Sequence, residues 1–194
     1  MAGRKQFDME VVLDAAMVQF WRAGHAATSV DDLSRVTGLN RSSIYSSLGD
    51  KDVLYLRCLD RYASRYGDRY DQALAGASED PLHAVRTFFD VTLQRIADPD
   101  VPDGCLIAQT AMAIPTLSPA IAARAVQALE YQRARLRVAL TSAKLPDAEG
   151  FAIHLAAVNQ SLAVMSRGGA SGQQLRTITD VSVSALAQVV LSRS

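Results

Sequence analysis

The segment Gly38–Lys51, GLNRSSIYSSLGDK, concentrates small polar side chains between two cations. Arg41 carries a planar guanidinium that can pair with both acceptors on one guanine edge. Ser42, Ser43, Ser46 and Ser47 carry hydroxyls that donate and accept, so they discriminate bases weakly, and they are short enough to let a helix backbone approach DNA closely. Lys51 is a point charge suited to phosphate, as are hydroxyls and backbone N–H groups near Thr28 and Ser29 and a basic arm at Arg4–Lys5. Leu39, Ile44 and Leu48 supply an apolar side at helical spacing. Together these residues suit a helix that lies in a major groove about 12 Å wide. A solvated surface helix between two glycines has the same composition, and the pattern alone leaves both readings open.

Other chemistry is sparse. His25, His83 and His154 fall on different predicted helices, and Cys58 and Cys105 are too far apart for metal-ligand spacing. No glycine loop could cradle a phosphate, and no nucleophile elbow is present. The expectation is no catalytic site, no metal and no cofactor. A helical adaptor that binds a protein partner without DNA is the remaining rival class. The 194 residues carry 20 basic and 20 acidic side chains, so the whole-chain balance points to no partner and any DNA-binding charge must be local. The stretch MAGRKQFDMEVV has no apolar signal core, and no apolar run reaches the roughly 18 residues of a membrane span. A cytoplasmic protein with free thiols and no membrane partner is expected.

The elements that would position these residues are helical. Met9, Val12, Leu13, Ala16 and Phe20 share one helix face that Gly24 ends. Ser29 is placed as an N-cap with Asp32 completing a capping box, and Gly38 closes this short helix. Asn40 caps a third helix, RSSIYSSL, and Asp50 caps a long fourth one that runs to Gly76. The second and third helices with their glycine turn form a helix-turn-helix. Beyond Gly76, Pro81 opens a fifth helix, DPDVPDG is a loop, and CLIAQTAMAI is a short apolar helix stopped before Pro115. Ser118 and Pro119 start a long helix, Pro146 breaks the chain, and two last helices flank GGASG. The fold class is all-α in two parts: a three-helix head over residues 1–52 and a helical domain over 53–194, joined by the long helix 51–76.

The run AATSVDDLSRVTGLNRSSIYSSLGDKDVLYLRCL, extended back through VLDAAMVQFWRAG, resembles the DNA-binding domain of the TetR/AcrR family of transcriptional regulators. The resemblance covers Val11 to Leu59 and rests on Phe20, Gly24, Thr28, Leu33, Gly38, Leu39, Ile44, Tyr45, Lys51 and Leu54. It implies that Thr28, Tyr45 and Lys51 contact phosphates and that Arg41, Ser42, Ser43, Ser46 and Ser47 face the bases. Leu48 stands where the family usually has Phe, His25 where an aromatic such as Tyr is usual, and Ser46 and Ser47 where relatives carry larger residues. The first two changes alter packing, and the serines leave the operator sequence unread.

The resemblance further implies a homodimeric repressor, released from a palindromic double-stranded DNA operator by an unknown small-molecule effector. An effector pocket is expected between the long helix and the middle helices, lined by Tyr62, Tyr66, Phe89, Cys105, Gln109, Met112 and Tyr131. The uncharged CLIAQTAMAI suits an apolar or weakly polar ligand. Cys105, at a helix start where amide groups stabilise a thiolate, offers an oxidant or electrophile sensor as an alternative to a plain buried thiol. The dimer interface is expected along two stripes of the last helices: Phe151, Leu155, Val158, Leu162 and Met165 on one, and Leu175, Ile178, Val181, Ala185, Leu186 and Val189 on the other.

Overall fold

Short polar side chains set where the helices begin in the computed structural model, which describes residues 8–192. Among the described residues all regular structure is helical: α1 (Met9–Ala23), α2 (Val30–Thr37), α3 (Arg41–Leu48), α4 (Lys51–Leu74), α5 (Pro81–Ala97), α6 (Leu106–Met112), α7 (Pro119–Ser142), α8 (Ala148–Arg167) and α9 (Gly172–Leu191). Ser29 and Asp32 form the reciprocal capping box at α2, and Gly38 ends that helix with φ of 70°. Asn40 Oδ1 accepts the Ser43 N–H at 2.8 Å, and Asp50 Oδ1 accepts the Val53 N–H at 2.9 Å. α4 stops at Leu74 rather than Gly76, because the chain turns there through Ala77 N–H to Leu74 C=O. α6 stops before Pro115, as expected, and Pro115 lies in a 3-10 turn, Ile114–Thr116. Past GGASG, a second capping box between Ser171 and Gln174 fixes the start of α9.

Phe20, Leu33, Ile44 and Leu48 of α1–α3 close around Leu54, Tyr55 and Leu59 of α4, all of them buried. This small core orients α3 with only two of its side chains, Ile44 and Leu48, facing inward. The 24 residues of α4, about 36 Å of helix, then leave the head and pack against α5 and α7. α7 also packs on α8, and α9 covers α5 and α8. Tyr70 of α4, Thr92 of α5 and Asn159 of α8 form a buried polar knot: Thr92 Oγ1 lies 2.7 Å from the Tyr70 hydroxyl and 2.6 Å from Asn159 Oδ1. Satisfied inside the core, the knot fixes the mutual register of the three helices.

Asp14 of α1 is clamped to α4. Arg61 donates from Nε to Oδ1 at 2.6 Å and from Nη2 to Oδ2 at 2.8 Å, and Arg65 adds a further bond. The Arg61 hydrogen bonds hold the Asp14 carboxyl below its ordinary value of 3.8, partly opposed by burial. A carboxyl depressed in the folded state contributes stability above its unfolded value and loses it as pH falls through the folded one. Asp14→Asn is therefore expected to lower the melting temperature at pH 7, with the gap to wild type closing below about pH 4. The half-exposed site limits the effect to about 1 kcal/mol. A gap that stayed constant across a thermal-melt series from pH 7 to pH 3 would exclude the linkage.

Candidate nucleic-acid interface

α3 is an eight-residue helix with two opposite characters. Ile44 and Leu48 are buried, while Arg41, Ser42, Tyr45, Ser46 and Ser47 point to solvent and Ser43 lies half-buried beside them. Tyr45 is 54% exposed, a large ring with no core role. Arg41 is held by Asp31 of α2, with Nε to Oδ1 at 2.6 Å and Nη2 to Oδ2 at 2.5 Å. That hydrogen-bonded guanidinium keeps the Asp31 carboxyl below its ordinary range. The side chain of α3 able to pair bidentately with a guanine is thus held in a fixed geometry by a carboxylate of the neighbouring helix.

Behind the head lies a cavity of about 240 Å³ walled by α4, α7 and α8 and the start of α6. Tyr62, Tyr66, Cys105 and Tyr131 line it, joined by Tyr70, Arg124, Gln132, Arg135 and Gln160. A bridge runs from α8 to the head. Arg167 donates from Nη2 to the Trp21 carbonyl at 2.6 Å and to Gln109 Oε1 at 2.8 Å, and from Nε to the Asp103 carbonyl at 3.2 Å. Gly104, with φ of 84°, makes this bridge possible, since a Cβ there would sit 2.6 Å from Arg167 Nε. Gly104→Ala combines that clash with a left-handed backbone, and a loss of about 1–3 kcal/mol in denaturant unfolding is expected. An unchanged midpoint would show that the bridge is not under such constraint.

Residues 12–58 match the model for bacterial regulatory proteins of the tetR family, and residues 81–181 match that for the tetracyclin repressor-like C-terminal domain. The second match alone covers more than half of the chain. The chain belongs to the TetR family. It is 31% identical over 115 residues to the HTH-type transcriptional repressor ComR of Escherichia coli K12, which covers 59% of this chain and 53% of ComR. It is 29% identical over 112 residues to the HTH-type transcriptional regulator YezE of Bacillus subtilis 168, covering 58% of this chain and 57% of that protein. The chain thus spans just over half the length of the curated relatives it matches.

Solved TetR-family structures share the fold along nearly the whole chain. A cysteine mutant of the regulator CifR, in complex with a 26-bp double-strand operator DNA, superposes with a TM-score of 0.80 at 24% identity, covering 94% of this chain and 98% of that one. A TetR regulator from Chloroflexus aurantiacus gives 0.82 at 22% identity, covering 92% and 93%. The family is one of regulatory proteins, not of enzymes. No helix among the described residues is long and apolar enough to cross a membrane.

Within this TetR fold several sequence expectations need correction. The Thr28 hydroxyl is buried and donates to the Gly24 carbonyl at 2.7 Å, because the end of α1 leaves that acceptor otherwise open. It is not free for a phosphate. The Ser29 hydroxyl is likewise engaged by Asp32 at 2.6 Å. Lys51 Nζ donates to the His25 and Thr28 carbonyls at 3.1 and 3.2 Å, so two of its three protons stitch the turn while its charge stays at the start of α4. Arg57, missed from the sequence, donates to the Ser47 carbonyl at 3.3 Å and adds an exposed cation at the far end of α3. The Arg4–Lys5 arm lies outside the described residues.

The pocket expectation was too apolar. Phe89 is buried away from the cavity, packed edge-on against Phe88 of the same helix. Gln109 is turned to Arg167, and Met112 is 63% exposed. The polar lining that the sequence reading lacks comes mostly from α7, where Arg124, Gln132 and Arg135 join the expected Tyr131. Cys105 is the N-cap of the short α6, half-buried and without a cap hydrogen bond from its side chain, and it opens on the cavity. Burial pushes the other thiol, Cys58, up to about 12, which leaves it chemically inert at neutral pH.

The dimer stripes were also misplaced in part. Leu155, Leu162, Leu175 and Leu186 are fully buried inside the protomer, and Phe151, Val158, Ile178 and Val189 pack against the same core. Met165 and Val181 are exposed, in company with Ile153, Val164 and Ala185. Each helix carries two apolar faces of the same period, one turned inward and one outward.

Proposed function

We propose that the chain is a homodimeric repressor that grips a palindromic operator through α3 and lets go when a small molecule enters the cavity. Residues 1–52 act as the reading head and residues 53–194 as the effector and dimer domain. The observation that carries this reading is α3 itself, a helix whose two apolar residues are spent on the head core and whose Arg41, Ser42, Ser43, Tyr45, Ser46 and Ser47 are left outward. Arg41 reads one guanine, the serines allow close approach, and Tyr45 and Lys51 hold the backbone, with N–H groups at the start of α2 replacing the hydroxyls of Thr28 and Ser29 in phosphate contact.

A single short helix contacts too few bases for specificity, so two copies about one helical turn apart, roughly 34–36 Å, are required. The exposed apolar residues Ile153, Val164, Met165, Val181 and Ala185 supply a face for the second copy. α4 begins at Lys51 in the head and carries Tyr62, Tyr66 and Tyr70 into the cavity, so a ligand that favours one tilt of α4 resets the spacing of the two heads. The ligand must bind the two spacings with different affinity, or nothing shifts. Because the Cys105 thiol opens on the same cavity, covalent capture of an electrophile there would use the same lever; Cys105→Ser would abolish release by electrophiles and leave other ligands effective.

Anisotropy titrations of the full chain on a labelled random duplex pool, repeated across salt, test the reading. Binding should weaken with salt by a slope of about −0.9 for each phosphate contacted, and Tyr45→Phe should weaken all sequences alike. No salt-dependent binding at micromolar protein would refute it.

A further inference from the structure

We propose that the cavity takes a planar organic acid, an aromatic carboxylate whose anion meets Arg124 and whose opposite end offers a hydrogen-bond donor to Gln160. The inference rests on the cavity being the effector site proposed above, and it names the chemistry of the effector.

Two polar atoms on the cavity lining are buried without a hydrogen-bond partner. Arg124 spends Nε on Asp60, while its Nη1 is unpaired. Gln160 spends Nε2 on Gln132, while its Oε1 is unpaired. An unmade hydrogen bond on a desolvated group is costly, and more so on a charged one, so a ligand that satisfies both atoms is favoured over one that satisfies neither. A neutral apolar ligand would leave both as they are.

Spacing converts this pair into a length. Arg124 and Gln132 lie on the same helix, α7, and eight residues of helical rise separate them by about 12 Å. Gln132 holds Gln160 beside it, so the orphan donor and the orphan acceptor are set about two helical turns apart along the cavity wall. One aromatic ring with a short conjugated arm spans such a gap. The walls suit a flat molecule, since Tyr62, Tyr66 and Tyr131 present rings to it.

Charge points the same way. Arg124 and Arg135 line the cavity against the single acid Asp68, and their ion-pair partners Asp60 and Asp71 lie outside this lining. Behind the wall sits Arg95, 3% exposed and in no ion pair among the described residues. Its guanidinium lies over the Trp21 and Tyr66 rings at 5.7 and 5.5 Å and donates to the Gly104 carbonyl. A buried cation without a carboxylate raises the potential of the space beyond the Tyr66 ring, and a bound anion offsets it.

The test is calorimetry on the full chain with 4-hydroxycinnamate, cinnamate and methyl 4-hydroxycinnamate as probes. The hydroxy acid should bind best, with the ester roughly 10- to 100-fold weaker and cinnamate several-fold weaker. Arg124→Gln should erase the preference for acid over ester, and Gln160→Leu should erase that for the hydroxy acid over cinnamate, with circular dichroism reporting the fold of each variant. An ester that binds as well as the acid overturns the proposal, as does the absence of heat from all three probes at millimolar concentration. DNA retention is measured separately on the ligand-free chain. A chain that binds the acids but retains no DNA breaks the regulator reading and leaves the acid site standing, whereas one released from DNA only by neutral compounds breaks the acid proposal alone.

Discussion

Trp21→Ala is expected to lower the free energy of unfolding by about 3–5 kcal/mol, a range typical of a large buried aromatic cut to a methyl. Trp21 is fully buried at the junction of the head and the remaining helices. Its ring meets the edges of Tyr62 and Tyr66 at centroid distances of 5.0 and 6.2 Å, and the Arg95 guanidinium lies over its face. Its indole N–H donates to the Asp103 carbonyl at 3.1 Å, and its own carbonyl receives Arg167. Alanine would therefore remove ring packing, leave the Asp103 carbonyl with Arg167 as its one remaining donor among the described residues, and leave the buried Arg95 with one aromatic face instead of two. Trp21→Phe keeps a ring and loses the hydrogen bond, so a smaller loss of about 1–2 kcal/mol should follow. Equilibrium denaturation of the two variants decides the matter. A loss below about 1 kcal/mol for Trp21→Ala would show that the head and the cavity domain are not joined through this residue.

The second large effect concerns DNA. Arg41→Ala should relax preference at one base pair of each half-site by roughly 5- to 150-fold, and the loss on a palindrome compounds over both copies. Asp31→Asn should act in the opposite sense. It frees Arg41 from its bidentate partner and removes a negative charge beside α3, so affinity for every sequence should rise. Discrimination should then fall, because a guanidinium no longer held in one geometry can settle on phosphates. In the double variant the Asp31 substitution should retain only its sequence-independent gain. If Asp31→Asn left affinity and specificity unchanged, the latch on Arg41 would have no bearing on recognition.

How much of this was legible in the sequence depends on whether the cause is local. The caps at Ser29, Asn40 and Asp50 read correctly because a cap and its acceptor N–H lie within three residues of each other. The two faces of α3 read correctly because Ile44 and Leu48 are one turn apart amid serines. Thr28 misled because its partner, the Gly24 carbonyl, becomes an open acceptor only where α1 ends. Lys51 carries a turn-stitching role visible only once α4 stands against the loop after α1. Nothing local in the sequence marks Arg124, Gln132 and Gln160, and only the packing of α7 on α4 and α8 turns them toward a cavity. The stripes of α8 and α9 show the same limit, since periodicity marks Leu155 and Val181 alike and cannot tell a protomer core from a face left open.

Selection of bound duplexes from random DNA by the 194-residue chain tests the central claim most directly. The account predicts a palindromic consensus with half-sites centred about one helical turn apart, each containing a guanine whose preference disappears in Arg41→Ala. Recovery of no enriched sequence, or of an enriched sequence that Arg41→Ala selects equally well, would contradict it.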